Sequence, residues 1–361
     1  MTAKITKDNL DDFATGATVL GTGGGGDPYV GKLMAEQAIE EYGPVELLAP
    51  EAVPDDELVV PSAMLGAPTV MVEKLPRGME SLAAFEALET ALGQEAYATM
   101  SIEAGGLNST VPIAVAAAND LPLVDADGMG RAFPEVQMVT LTLGGISATP
   151  MSIADEKGNS VFLETVDNDW AEQFARTTSI EMGGACMIAT YAHTGAELRD
   201  HAILNSMSLA RDIGETIRTA KSRSADPVDE LLELTDGSEL FEGKIVDVER
   251  RTEGGFAVGE ATIDGLGDCE GRELRLDFQN ENLVARDSER GVVASVPDLI
   301  TVLDAETGDP VTTEGLKYGH RVRVVGMPCS KKWRTDDGLE LVGPQYFDYD
   351  IDYEPIESLQ Q

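Results

Sequence analysis

LPLVDADGMGRAFPE, residues 121–135, passes from a short apolar run into two aspartates, two glycines and an arginine. A continuous apolar run of this length suits a strand buried on both faces, the kind found in parallel sheets. The polar, glycine-containing segment after it then sits at the strand's C-terminal edge, where open α/β sheets collect their ligands. In a turn, Asp125 and Asp127 can converge on one cation or one substrate N–H. Arg131 can pair with one of them or offer a two-pronged fork to a carboxylate. These three are the candidate catalytic residues. An Asp–Arg pair that merely fixes the turn is the plainer alternative.

Outward from this strand the chain alternates strands and helices. A first helix runs through Leu20, with Asn9 as a side-chain cap, and a second starts at Asp27 and Pro28 and stops before Gly43. Short strands are expected at Val45–Leu48, Glu57–Val60 and Thr69–Val72, a helix over Glu80–Leu92, a strand in YATMSIE and a helix in NSTVPIAVAAAND. Downstream, VQMVTLTL, TPMSIAD and SVFLET read as strands. They are followed by the helix DWAEQFARTTSIEM, the strand CMIATYA and a long helix over Ser206–Lys221. The fold class is therefore α/β: an N-terminal domain, 1–236, with a mainly parallel or mixed sheet. From 237 to 347 the grammar becomes alternating strands punctuated by glycine, a β-rich domain. Residues 348–361 form an acidic tail.

GTGGGGDP opens the second helix and has G-x-G-x-x-G spacing at Gly21, Gly23 and Gly26, with Glu46 about twenty residues on. That is the spacing of a dinucleotide fingerprint, which keeps an NAD-linked oxidoreductase among the readings. The preceding segment is patterned as a helix, however, and no βαβ unit begins the chain. What the loop offers in any case is backbone: Gly23, Gly24, Gly25 and Gly26 at a helix N-terminus present N–H groups to an anion. Asp27 brings its own charge to the same positive end. SIEAGG (101–106) and SIEMGG (179–184) place Glu103 and Glu181 beside glycine pairs that allow close approach. Glu103, with Asn108, falls at a strand's C-terminal end. Together with the glycines and Asp27, Glu103, Asn108 and Glu181 are the candidate substrate contacts.

For a metal the supply is thin. Cys186 and His193 bracket a strand, and a soft thiolate with an imidazole is compatible with zinc. Three cysteines, Cys186, Cys269 and Cys329, lie far apart, with no C-x-x-C pair, as expected in a reducing compartment. The net charge is −39, from 26 basic and 65 acidic residues. Such a surface repels nucleic acid, so no nucleic-acid partner is expected. Concentrated salt would relieve its self-repulsion, which points to a halophile's cytoplasm. No apolar run is long enough for a membrane span, so no membrane partner is expected.

Taken together, LGTGGGGDP, EAGGLNS, LPLVDADGMGRAFPE, GETIRTA, PDLITVLDAETGDPV and GLELVGPQYF resemble the S-methyl thiohydantoin desulfurase family, which is associated with hydantoinases. The likeness spans nearly the whole chain. It implies an α/β domain followed by a β-rich one, and a hydrolase that removes methanethiol or sulfide from a thiohydantoin-type cyclic amide, with zinc activating water. It gives Asp125 or Asp127 the role of base or ligand. Arg131 or the glycine loop would hold an acidic side chain of a small-molecule substrate. A metabolite-binding partner subunit of a hydantoinase-type enzyme is the alternative class, and a homo-oligomer is expected in either case.

Overall fold

The computed structural model describes residues 3–26, 28–66 and 78–360. The expected strand Thr69–Val72 and the expected helix cap Asp27 lie outside the described residues.

At the centre of the N-terminal domain is β3, Leu58–Gly66, whose side chains are buried on both faces for nearly its whole length. An apolar strand of that kind is stable only when both faces are covered. On one side it pairs in parallel with β4 (Ala98–Ser101), which leads through β5 (Leu123–Val124) to β2 (Val45–Leu48), all parallel. On the other side β9 (Ala185–Ala189) runs antiparallel to β3 and carries the hairpin β7–β8, Met151–Ala154 and Ser160–Leu163. The sheet is thus mixed: parallel where crossover helices connect its strands and antiparallel on the far side. A further short strand, β10 (His193–Thr194), pairs with the start of β3.

The helix Val111–Asn119 begins with Pro112 in its first turn and ends at Asp120 in a left-handed conformation, so the chain turns directly into β5. The helix Ser206–Arg223 packs along Leu10–Leu20, and a Cβ on Gly16 would sit 1.7 Å from the carbonyl oxygen of Ala210. Only glycine permits that approach.

Two details differ from the sequence reading. VQMVTLTL contains no strand: Thr140–Leu143 form one helical turn, and Val136, Met138, Val139 and Leu141 are buried in the core. An apolar alternation that covers a core needs no strand partner. Asn9 precedes the first helix but does not cap it, because its Oδ1 accepts the backbone N–H of Thr6 instead.

From Ser238 the chain forms an eight-stranded sheet in which every pairing is antiparallel. One of its strands, Glu281–Asp287, opens with Glu281. The acidic tail is anchored: buried Asp298 accepts the Tyr353 hydroxyl at 3.1 Å and the Ile356 N–H at 2.8 Å. The two domains share one apolar core, in which Met129, Phe133 and Val136 meet Leu283, Val296, Leu299 and Trp333. Trp333 donates its indole N–H to the Met129 carbonyl at 2.7 Å and meets Phe133 edge-on.

Candidate functional site

Along this seam lies a cleft that opens to solvent, with an interior of about 50 Å3. Four segments supply its polar wall: Gly25 and Gly26 from the glycine loop, Glu103 and Asn108 from beyond β4, Phe133–Val136 from the turn after β5, and Asn280 and Glu281 from the β-rich domain. Met64, Leu65, Ile102 and Ile188 supply the apolar wall.

The glycine loop is the joint between these parts. The carbonyl of Gly25 accepts the N–H groups of Leu107 (2.9 Å) and Asn108 (3.2 Å). Those of Thr22 and Gly23 accept Asn282 and Thr313 from the other domain, both at 2.8 Å. Gly25 has φ +73°, and a Cβ there would lie 2.4 Å from the Cα of Gly105. A Cβ on Gly24 would lie 1.9 Å from Glu281 Oε1. The loop thus allows a carboxyl from one domain to reach the floor of the other. It joins two helices, Leu10–Leu20 and Pro28–Tyr42, rather than a strand and a helix. A dinucleotide fold needs the strand, so the G-x-G-x-x-G spacing carries no such site here.

Glu103 is buried, and its carboxyl is held on both sides. Oε1 accepts the Asn108 amide at 2.6 Å and Oε2 accepts the Phe133 N–H at 3.3 Å. Asn108 is fixed in turn by the Met64 N–H and carbonyl. Burial pushes Glu103 up to about 7, with the Asp127 charge adding to the shift and Asn108, Phe133 and Arg131 opposing it. Glu281, only 2% exposed, leaves Oε2 without a partner. Burial, then repulsion from Glu103, drives Glu281 well above the usual carboxylate range. Two carboxyls close enough to repel each other in a dry site share protons, and their titration belongs to the pair.

The turn that drew attention in the sequence does different work. Arg131 is fully buried and pairs with neither aspartate. Its donors go to the carbonyls of Ala132, Pro297, Asp298 and Asn282 and to the Thr22 hydroxyl, at 2.7–3.2 Å. Those five bonds use all five guanidinium N–H groups, so Arg131 has no fork left for a substrate. It ties the turn, the glycine loop and the β-rich domain together and leaves a positive charge beside Glu103 and Glu281. Asp125 accepts the N–H and hydroxyl of Ser208, holding the first turn of the helix Ser206–Arg223. Asp127 accepts the N–H groups of Gly130 (2.8 Å) and Met129 (3.3 Å), and burial lifts it to about 7. Neither aspartate lines the cleft. Glu181 is exposed at the end of the helix Asn168–Glu181 and is not brought to the cleft either.

Models of the S-Me-THD-like N-terminal domain and the S-Me-THD-like C-terminal domain match residues 8–165 and 166–356. The chain belongs to the S-Me-THD-like family. A crystal structure of a protein from Chromobacterium violaceum superposes with a TM-score of 0.77 at 23% identity, covering 98% of this chain and 100% of that one. At that identity the likeness concerns the fold alone. No curated protein matches.

The zinc that the S-Me-THD resemblance implies does not find its expected ligands. Cys186 faces Leu65 in the β3–β9 register, whereas His193 faces Val59 in the β3–β10 register. Six residues of strand put the two roughly 20 Å apart, too far to share one ion. The Cys186 thiol lies 3.7 Å from the Leu65 carbonyl, and His193 Nδ1 donates to the Tyr191 carbonyl at 2.6 Å. Among the described residues no three His, Cys, Asp or Glu side chains are grouped to hold a metal.

Glu281 was missed in the sequence because QNENL carries no motif, and its role depends on the glycine loop 257 residues earlier (281 − 24). A buried acid at the start of a strand is invisible until the domains meet.

Proposed function

We propose that this S-Me-THD-like protein is a hydrolase that replaces the sulfur of a thiohydantoin-type five-membered cyclic amide with oxygen in the interdomain cleft. The observation that supports the reading is the pair Glu103 and Glu281. They are two buried carboxyls from different domains, in one cleft, both displaced upward in pKa by burial, and Glu281 further by the charge of Glu103. A general acid–base pair near neutrality needs that displacement.

Glu281 enters the reaction protonated and Glu103 ionised. Water adds through oxygen to the ring carbon bearing sulfur, Glu103 takes one of its protons, and Glu281 protonates the adjacent ring nitrogen. On collapse the carbon–sulfur bond breaks, the new hydroxyl returns its proton to Glu281, and Glu103 delivers its proton to the departing sulfur. An S-methyl ring and water become an oxo ring and methanethiol; a plain thiohydantoin gives hydrogen sulfide. Arg131 acts without touching the ring, since its charge keeps a single negative charge on the pair tolerable in a dry site. Asn108 and the Phe133 N–H orient the base.

The test is thiol release from S-methyl thiohydantoin and thiohydantoin, with the oxo ring identified as product. Wild-type turnover that collapses in Glu103→Gln and Glu281→Gln, with folding retained, supports the reading. Turnover unchanged in both variants removes it.

A further inference from the structure

The charges lining the cleft bear on which ring it accepts. The family resemblance implies that Arg131 or the glycine loop holds an acidic substrate side chain or a ring oxygen, but the donors of Arg131 are all committed to the protein. The cation in the cleft lining, Arg176, is flanked by acids. Its Nε donates to Glu172 at 2.7 Å, one Nη donates to the Pro134 carbonyl, and Glu135 lies within its field. Three carboxyls line the same space: Glu103, Glu281 and Glu135. Two of them have acceptor atoms left over. Glu281 Oε2 is buried with no partner. Glu135 receives Tyr346 and Gln137 on Oε2, leaving Oε1 without a partner among the described residues. Glu135 is half-buried, against the deep burial of the other two.

We infer that Glu135 is a specificity residue that receives a hydrogen-bond donor or cationic side chain on the substrate ring, and that rings with an acidic side chain are disfavoured. This rests on the proposed reading of the cleft as a cyclic-amide site. The acid–base pair takes the reacting edge of the ring, and Glu135 takes what projects from it. Tyr346 and Gln137 hold the carboxyl from behind, so its remaining oxygen is oriented before a ligand arrives. An anionic side chain would meet Glu135 and the paired acids, while the cation in the lining, Arg176, is already paired with Glu172.

The experiment measures binding rather than turnover, by calorimetry in 1 M KCl, where exposed charges are screened over about 3 Å. Three hydantoins are compared, with aminobutyl, methyl and carboxymethyl side chains. The expected order is aminobutyl tightest and carboxymethyl weakest, separated by on the order of tenfold at each step. Glu135→Gln compresses the order, Glu135→Lys inverts it, and Glu181→Gln, at an exposed acid away from the cleft, leaves it intact. Equal affinity for all three rings, or carboxymethyl tightest in the wild type, overturns the inference while leaving the catalytic reading standing. No binding of any ring overturns that reading and this inference with it.

Discussion

Two buried acids, Asp125 in the turn and Glu281 across the seam, differ in how many partners they have; Asp127 also keeps an unpartnered oxygen, but outside the cleft. Asp125, in the turn, has both oxygens engaged by Ser208. Glu281, across the seam, has an oxygen with none. A carboxyl fully satisfied by the helix it holds is a structural part, because any reaction that used it would break what it supports. A carboxyl buried without a partner costs free energy on folding, and such a cost is understandable where the group serves a ligand. The same contrast separates Arg131, whose donors are all used, from Glu103, held on two sides but able to accept more. The turn that stands out in the sequence builds the joint. The acids in plainer surroundings face the cleft.

This comparison can be broken most sharply by exchanging the residues on each side of it. Glu281→Gln and Glu103→Gln are expected to lower kcat for thiol release by about 10²–10⁴-fold, the usual contribution of general acid–base catalysis. Their denaturation midpoints should stay level or rise, because a neutral amide replaces a buried acid. Arg131→Met is expected to cost about 3–5 kcal/mol in denaturant unfolding, since it leaves four carbonyls, a hydroxyl and two neighbouring acids without their cation. An Arg131→Met protein as stable as wild type would end its role as the joint.

The pH dependence of stability offers a third handle. Glu103 is raised from its ordinary value near 4.5 to about 7, and Asp127 from 3.8 to about 7. A folded-state pKa above the unfolded one means that the native protein binds more protons in between, so unfolding free energy falls as pH rises. That loss should run from roughly pH 4 to beyond pH 7, and Glu103→Gln should flatten part of it in melts across the range. The smallest effect is expected from Asp125→Ala: loss of roughly 1 kcal/mol as the helix Ser206–Arg223 loses its first-turn acceptor, with kcat unchanged. A large fall in kcat with folding intact would place Asp125 back among the reacting groups.

How much of this was legible in the sequence depended on the range of the interaction. Periodicity located most strands of the N-terminal sheet, though not the short ones at Ala3–Ile5 and His193–Thr194, and the change to β grammar near Ser238, because burial on one or both faces imprints a local repeat. It misread VQMVTLTL, whose apolar residues cover the core from a loop and one helical turn. Glu103 and Asn108 line the cleft, and the C-terminal end of a parallel strand is a local landmark that the sequence shows. The glycine loop was found as well, but its use was not: its glycines give room to Glu281 and Gly105, contacts that no spacing rule encodes. Cys186 and His193 are close in sequence yet lie at opposite ends of β3, because the chain runs antiparallel along that strand between them.

The most direct measurement is the pH profile of kcat/KM for S-methyl thiohydantoin in the wild type and in Glu281→Gln. A bell is expected for the wild type, with an acid limb near 7 from Glu103 and an alkaline limb from Glu281, and the residual activity of Glu281→Gln should keep the first limb and lose the second. An alkaline limb that persists unchanged in Glu281→Gln would contradict the shared acid–base pair.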